Sequence, residues 1–138
     1  MISLLFATCM WARLDNIFIW IVVLVTLCFG MIGFADDYAK VSKQNIKGVP
    51  GRIRLILGFI ISAIAAYFAA INHPEALQYK LALPVFKDTL IHLGLLFIPF
   101  SMIVVVGAAN AVNLTDGLDG LAIMPVMIAA LALGVISY

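Results

Sequence analysis

At 138 residues the chain has the length of one domain. However, 65% of it is apolar and only 11% charged, against about 45–50% and about 25% in soluble globular proteins. With a mean hydropathy of +1.18, a soluble fold of this size could not hide its apolar surface, so lipid is the solvent for most of the chain. Eight Lys and Arg against seven Asp and Glu leave a net charge of +1, which gives no general basic field for nucleic acid. The expectation is an all-α, polytopic integral membrane helix bundle.

A spanning helix needs about 20 apolar residues. Residues 1–12 are apolar but too short, and stop at Arg13-Leu14-Asp15-Asn16. Residues 17–34 form a clear predicted span and 55–71 a second, closed by Asn72-His73-Pro74-Glu75. Between 72 and 90, the stretch Tyr79–Phe86 suits a short hairpin or interfacial segment. Residues 90–107 form a third predicted span, which Pro99 is expected to kink. A fourth, 121–138, has no polar flank. The half-length first segment and the uncapped last one suggest four to five helices of a larger protein. No signal peptide is expected, because the N-terminus lacks a basic n-region and its apolar run leads into another membrane segment.

Charge sets the orientation. Five of the eight cations, Lys40, Lys43, Lys47, Arg52 and Arg54, lie between residues 36 and 54, so the positive-inside rule places this loop in the cytoplasm. By alternation 13–16 and 72–88 face outward, and the polar stretch 108–120 faces the cytoplasm again. Trp11, Trp20 and Tyr79 read as interfacial anchors. Cys9 and Cys28 fall in apolar runs with no C-x-x-C or Cys/His neighbourhood, and read as small hydrophobes. His73 and His92, both expected on the outer side, are weak candidates for chemistry.

Two polar motifs stand out on the cytoplasmic side. In Gly33–Lys40 (GFADDYAK), Asp36 and Asp37 close the membrane helix at its C-terminal end, where the helix dipole disfavours anions. Two candidates could offset that repulsion. Lys40 is within reach of both if the helix continues, and paired carboxylates beside phosphate are typical Mg²⁺ surroundings. A plain interfacial salt bridge would also account for the motif. In the second motif, Asn110, Asn113, Asp116 and Asp119 recur every third residue. Gly117 and Gly120 would let the backbone turn and gather these hard-oxygen side chains, which suit Mg²⁺ or hydrogen bonds from sugar and base. Alternatively, this is a polar loop in which Thr115 or Asp116 caps the next helix. The basic run serves topology and headgroup contact. Lys40 and Lys43 are near enough to the carboxylates to meet a phosphate, whereas Arg52 and Arg54 are expected at the headgroups.

NAVNLTDGLDGLA (Asn110–Ala122), with GFADDYAK some 70 residues upstream, resembles the polyprenyl-phosphate phospho-sugar transferases. Within that family the Asn-Leu-Thr-Asp-Gly-Leu-Asp-Gly-Leu-Ala wording, the Asp-Asp-Tyr, WARLDN (Trp11–Asn16) and Lys47-Gly48 are most similar to the branch that handles phospho-N-acetylmuramoyl-pentapeptide. The resemblance implies transfer of that group from UDP-N-acetylmuramoyl-pentapeptide to undecaprenyl phosphate at the cytoplasmic face of the bacterial inner membrane. It further implies a requirement for Mg²⁺ and products lipid I and UMP, in the first membrane step of peptidoglycan synthesis. Asp36 and Asp37 would then be the catalytic pair, one of them deprotonating or orienting the lipid phosphate. Lys40 and Lys43 would contact phosphate or nucleotide, and Asn110, Asn113, Asp116 and Asp119 would line the nucleotide pocket, with Asn113 the Mg²⁺ contact. Family members have about ten spanning helices, each of roughly 20 residues, with a further metal-binding aspartate and a histidine-rich loop downstream. The isolated 138-residue polypeptide is accordingly expected to lack transferase activity.

Two alternatives stay open: the sister branch that transfers N-acetylglucosamine phosphate, and a channel or transporter whose intramembrane carboxylates mark an ion path. CDP-alcohol phosphotransferases also use membrane aspartates, but Asp116-Gly117 is followed by Leu118-Asp119 and not by their Ala-Arg pattern. A homodimer is an arrangement the sequence leaves open.

Overall fold

The computed structural model describes residues 2–42, 48–83, 86–115 and 121–137, and side chains for these except 82–83, 86–89 and 136–137. Among the described residues there are five α-helices: α1 (Ile2–Trp11), α2 (Ile17–Ser42), α3 (Gly51–Asn72), α4 (Phe97–Thr115) and α5 (Ile123–Ser137). Strands β1 (Lys80–Leu83) and β2 (Phe86–His92) and a 3₁₀ turn at Gly94–Leu96 stand between α3 and α4. Among the described residues three helical stretches, Ile17–Ser42, Gly51–Asn72 and Gly94–Thr115, are long and apolar enough to cross a membrane. The chain divides into two units, Met1–Ile103 and Val104–Tyr138, the division falling inside α4.

In the first unit, the short loop after α1 ends in a helix cap. The Asn16 side-chain oxygen accepts the Phe18 N–H at 2.9 Å, and the Trp20 indole N–H donates to the Leu14 carbonyl at 2.9 Å. α2 takes in the apolar 17–34 stretch and runs on to Ser42. Those apolar residues span about 27 Å at 1.5 Å per residue, close to the ~30 Å hydrocarbon thickness, so the last turns of α2 stand beyond it.

α3 begins at Gly51, four residues earlier than its apolar run predicts. Pro50, at φ −53° and ψ 128°, is already set for a helix entry, and its carbonyl accepts from the Ile53 and Arg54 N–H groups. At the far end His73 turns extended, at ψ 146°, because the following Pro74 disfavours the α conformation. α3 packs against α2. Gly58, Ser62, Ala66 and Ala70 are its buried residues, one stripe at four-residue spacing, and small side chains there let two helix backbones approach closely. The Phe18 and His73 rings meet at 4.6 Å, tying the start of α2 to the end of α3. Between the helices Ile17, Ile21 and Cys28 face Ile61, Ile64 and Phe68 across an apolar groove.

A hairpin does form where Tyr79–Phe86 suggested one, but it runs on to His92, past the predicted start of the third span at 90. β1 and β2 pair antiparallel with Lys80 opposite His92, Leu81 opposite Ile91 and Ala82 opposite Leu90. The Leu93 N–H closes the base of this hairpin on the Tyr79 carbonyl at 2.9 Å. The first residues of the expected 90–107 span therefore belong to a strand, and His92 lies on β2 and not on a helix. Pro99, expected within the third span, falls near the start of α4. It is the third residue of the helix, in the first turn, where a missing N–H costs no hydrogen bond.

In the second unit α4 continues to Thr115, past the expected loop boundary at 108. Its Val106 is buried, whereas Leu131, Leu133 and Val135 of α5 are largely exposed. Apolar side chains around the whole circumference are what a helix solvated by lipid carries.

Candidate functional site

The helix does continue beyond the two aspartates, which gives them different surroundings. Asp36 is only 5% exposed. Its Oδ1 accepts the Val49 backbone N–H at 2.8 Å, while its Oδ2 meets Lys40 Nζ at 2.6 Å and Arg54 Nη1 at 3.3 Å. Asp37 has a side chain 78% exposed, and its nearest cation among the described residues is Lys40 at 3.6 Å. Lys40, one turn on from Asp36 in the last turn of α2, also offsets the unfavourable dipole end.

Beyond the apolar 17–34 stretch, the Asp36 carboxyl is held below the usual carboxylate range. The Lys40 hydrogen bond is the main cause and the Val49 N–H the next, with burial opposing them. The same contact raises Lys40 above the ordinary lysine value. Both groups are therefore charged at neutral pH.

Sequence reasoning placed Arg54 at the lipid headgroups; the structure corrects this. Because α3 starts at Gly51, Arg54 sits in its first turn and reaches back to Asp36. Gly48 and Val49 were also missed. Gly48 has φ +57°, and a Cβ built on it would lie 2.5 Å from Asp36 Oδ1 and 2.9 Å from Lys40 Cε. Only glycine meets both demands without strain. The Gly-x-Pro spacing of Gly48 and Pro50 was the available signal, a turn ahead of a helix. Lys43 lies outside the described residues.

Of the second motif, Asn110 and Asn113 are on α4, three residues apart and about 60° apart around the helix. The Asn110 amide N–H donates to the Val106 carbonyl at 2.8 Å, leaving its side-chain oxygen as an acceptor. Asn113 is exposed. Thr115 donates to the Val112 carbonyl, back into its own helix. Asp116 and Asp119 lie outside the described residues.

Among the described residues no three His, Cys, Asp or Glu side chains gather as a metal cage. Mg²⁺ does not ask for one: it keeps several waters and takes one or two carboxylates beside substrate phosphates. The exposed carboxylate of Asp37 and the exposed side-chain oxygen of Asn113 are each suitable hard donors. Asp36 is a poor one, since both its oxygens are already engaged.

Residues 19–138 match a family described as glycosyl transferase family 4. The chain is similar to proteins named phospho-N-acetylmuramoyl-pentapeptide-transferase from three bacteria. Identity is 67% for Ruegeria sp. (strain TM1040), 68% for Ruegeria pomeroyi and 63% for Dinoroseobacter shibae, in each case over 136 residues. The match covers 99% of this chain and 38% of each relative, so the chain spans well under half of their length.

Proposed function

The chain belongs to glycosyl transferase family 4, and on that footing we propose that its residues serve the transfer of phospho-N-acetylmuramoyl-pentapeptide from UDP to undecaprenyl phosphate. The observation that carries this is the similarity, at 63–68% identity across nearly the whole chain, to transferases of that name. A phosphate oxygen of the lipid attacks the β-phosphorus of the nucleotide. The bond from that phosphorus to the UMP oxygen breaks, a new pyrophosphate linkage gives lipid I, and UMP leaves.

Such a transfer asks the protein for positioned cations and a positioned nucleophile more than for covalent chemistry. Lys40, held in place by Asp36 and still 44% exposed, offers an N–H to a non-bridging phosphate oxygen. Asp37 presents an open carboxylate to the lipid phosphate. Asn110 and Asn113 offer amide oxygens from successive turns of α4 to the nucleotide, and Lys43, Asp116 and Asp119 complete the set. The chemistry Mg²⁺ supplies when bound is neutralisation of charge on the reacting phosphates, and Asn113 would be its contact on α4. Five cations between residues 36 and 54 support a cytoplasmic location for this face of a bacterial inner-membrane enzyme.

The test offers the gene product in its native membrane undecaprenyl phosphate, Mg²⁺ and either UDP-N-acetylmuramoyl-pentapeptide or UDP-N-acetylglucosamine. UMP release with the first alone is expected. Release with the second alone assigns the sister branch, and release with neither defeats the transferase reading.

A further inference from the structure

The two adjacent carboxylates differ in how much of their bonding capacity is free. Asp36 has one oxygen on the Val49 N–H and the other on both Lys40 and Arg54, and it is 5% exposed. Three of the roughly four acceptor sites of this carboxylate are taken, and its burial closes off the rest, so a substrate could reach it only by displacing one of these partners. That would leave either the Val49 N–H unpaired or the α2–α3 junction without its ionic link, and an abandoned buried donor bears its desolvation penalty in full. Asp37, about 100° further round the helix, has its side chain 78% exposed, with Lys40 at 3.6 Å its one cation among the described residues. Lys40 lies between the two. Its ammonium has three N–H donors, of which Asp36 takes one at 2.6 Å while Asp37 stands at 3.6 Å, so it has donor capacity left to offer outward.

Taking the transferase reading as its basis, we infer that Asp36 is a positioning residue and that Asp37 is the carboxylate of the pair presented to the reacting phosphate. Asp36 orients the Lys40 ammonium and latches the end of α2 to the turn at Gly48–Val49 and the first turn of α3. Gly48 is part of the same device. Its lack of a Cβ lets the turn close onto Asp36 Oδ1, so the latch can be disturbed without altering either carboxylate.

The experiment compares Asp36→Asn, Gly48→Ala, Asp37→Asn and Lys40→Met, with the double variant Asp36→Asn/Lys40→Met, in the full gene product in its native membrane. UMP release and thermal melting are read on each. Asp36→Asn and Gly48→Ala should share one signature: a lower melting temperature, a raised KM and a turnover reduced by about 10-fold to 10²-fold, as for a misplaced group. In the Lys40→Met background, Asp36→Asn should cost little more. Asp37→Asn should melt with the wild type yet lose roughly 10²-fold or more in kcat, as for a group acting on the reacting atoms. The inference is overturned if Asp37→Asn stays within about twofold of wild type, or if Asp36→Asn abolishes turnover at unchanged melting temperature while Gly48→Ala is active. A wild-type protein inert toward the nucleotide would defeat the function and the Asp37 role together. The melting cycle between Asp36 and Lys40 would then still decide the latch, and additive effects would reject it.

Discussion

Gly48 approaches Asp36 so closely that a β-carbon on the glycine would stand 2.5 Å from Asp36 Oδ1. Residues twelve apart are thereby packed against each other where α2 ends and α3 is about to begin, and the Val49 N–H is brought to 2.8 Å from the same oxygen. The glycine is required twice, by its positive φ and by the missing side chain.

Those two requirements can be separated. Gly48→Ala meets a left-handed conformation, costing about 1–2 kcal/mol, and also the clash. Gly48→Asn relieves much of the conformational cost, since asparagine tolerates that region, but keeps the β-carbon. Both are expected to lower the melting temperature in detergent, with Asn nearly as damaging as Ala. An Asn variant that melts with the wild type would show that the close approach is not limiting.

The ionic partners of Asp36 should rank by distance. Lys40→Met removes the 2.6 Å contact and Arg54→Met the 3.3 Å one. The expected coupling to Asp36→Asn is larger for Lys40 than for Arg54, and modest for both, because both cations are partly exposed and screened. Double-mutant cycles on thermal unfolding measure both, and a larger Arg54 term would reverse the ranking.

Acid should release this junction only late. An unfolded aspartate titrates near ~3.9, and the folded carboxyl of Asp36 lies lower. Its contribution is fully present above the unfolded value and is lost as pH falls through the folded one. The difference in melting temperature between wild type and Asp36→Asn should be constant from about pH 7 to about pH 5 and shrink below about pH 4. A difference that shrinks between pH 7 and 5 would contradict the assignment.

Ser62 and Ala66 on α3 should respond in opposite directions. The buried Ser62 hydroxyl has no hydrogen-bond partner among the described residues, so Ser62→Ala should be neutral or stabilising. Ala66, 7% exposed in the same stripe, has no room for a larger side chain, and Ala66→Leu should cost about 1–3 kcal/mol. Thermal unfolding of the two variants settles the sign of each.

Orientation has its own test. Single cysteines at Glu75 and at Arg52, with Cys9 and Cys28 replaced by serine, should differ toward a membrane-impermeant thiol reagent applied to intact cells. Position 75 should react at once and position 52 only after permeabilisation. The reverse order would invert the topology.

The solvent of this protein was legible in composition, and much of its helix pattern in hydropathy. Apolar runs dictate where a helix must satisfy its own backbone in lipid, and the four-residue spacing of Asp36 and Lys40 is a local property of one helix. Hydropathy misplaced the start of the third span at 90, where the hairpin suggested by Tyr79–Phe86 still runs on to His92. An apolar run there looks the same whether it enters a helix or a hairpin, and the strand pairing from Lys80 to His92 decided the matter.

The candidate site divides along the same line. That Asp36, Asp37 and Lys40 are neighbours follows from sequence alone, because one helix turn brings them together. That Asp36 is enclosed and Asp37 open follows from α3 folding back on α2. This brings the Val49 N–H from thirteen residues away and Arg54 from eighteen onto one carboxylate and not onto the next. Adjacent residues of one helix point about 100° apart, so a neighbouring element can saturate one and leave the other free. No local pattern specifies which, since the choice depends on the side from which the second helix arrives.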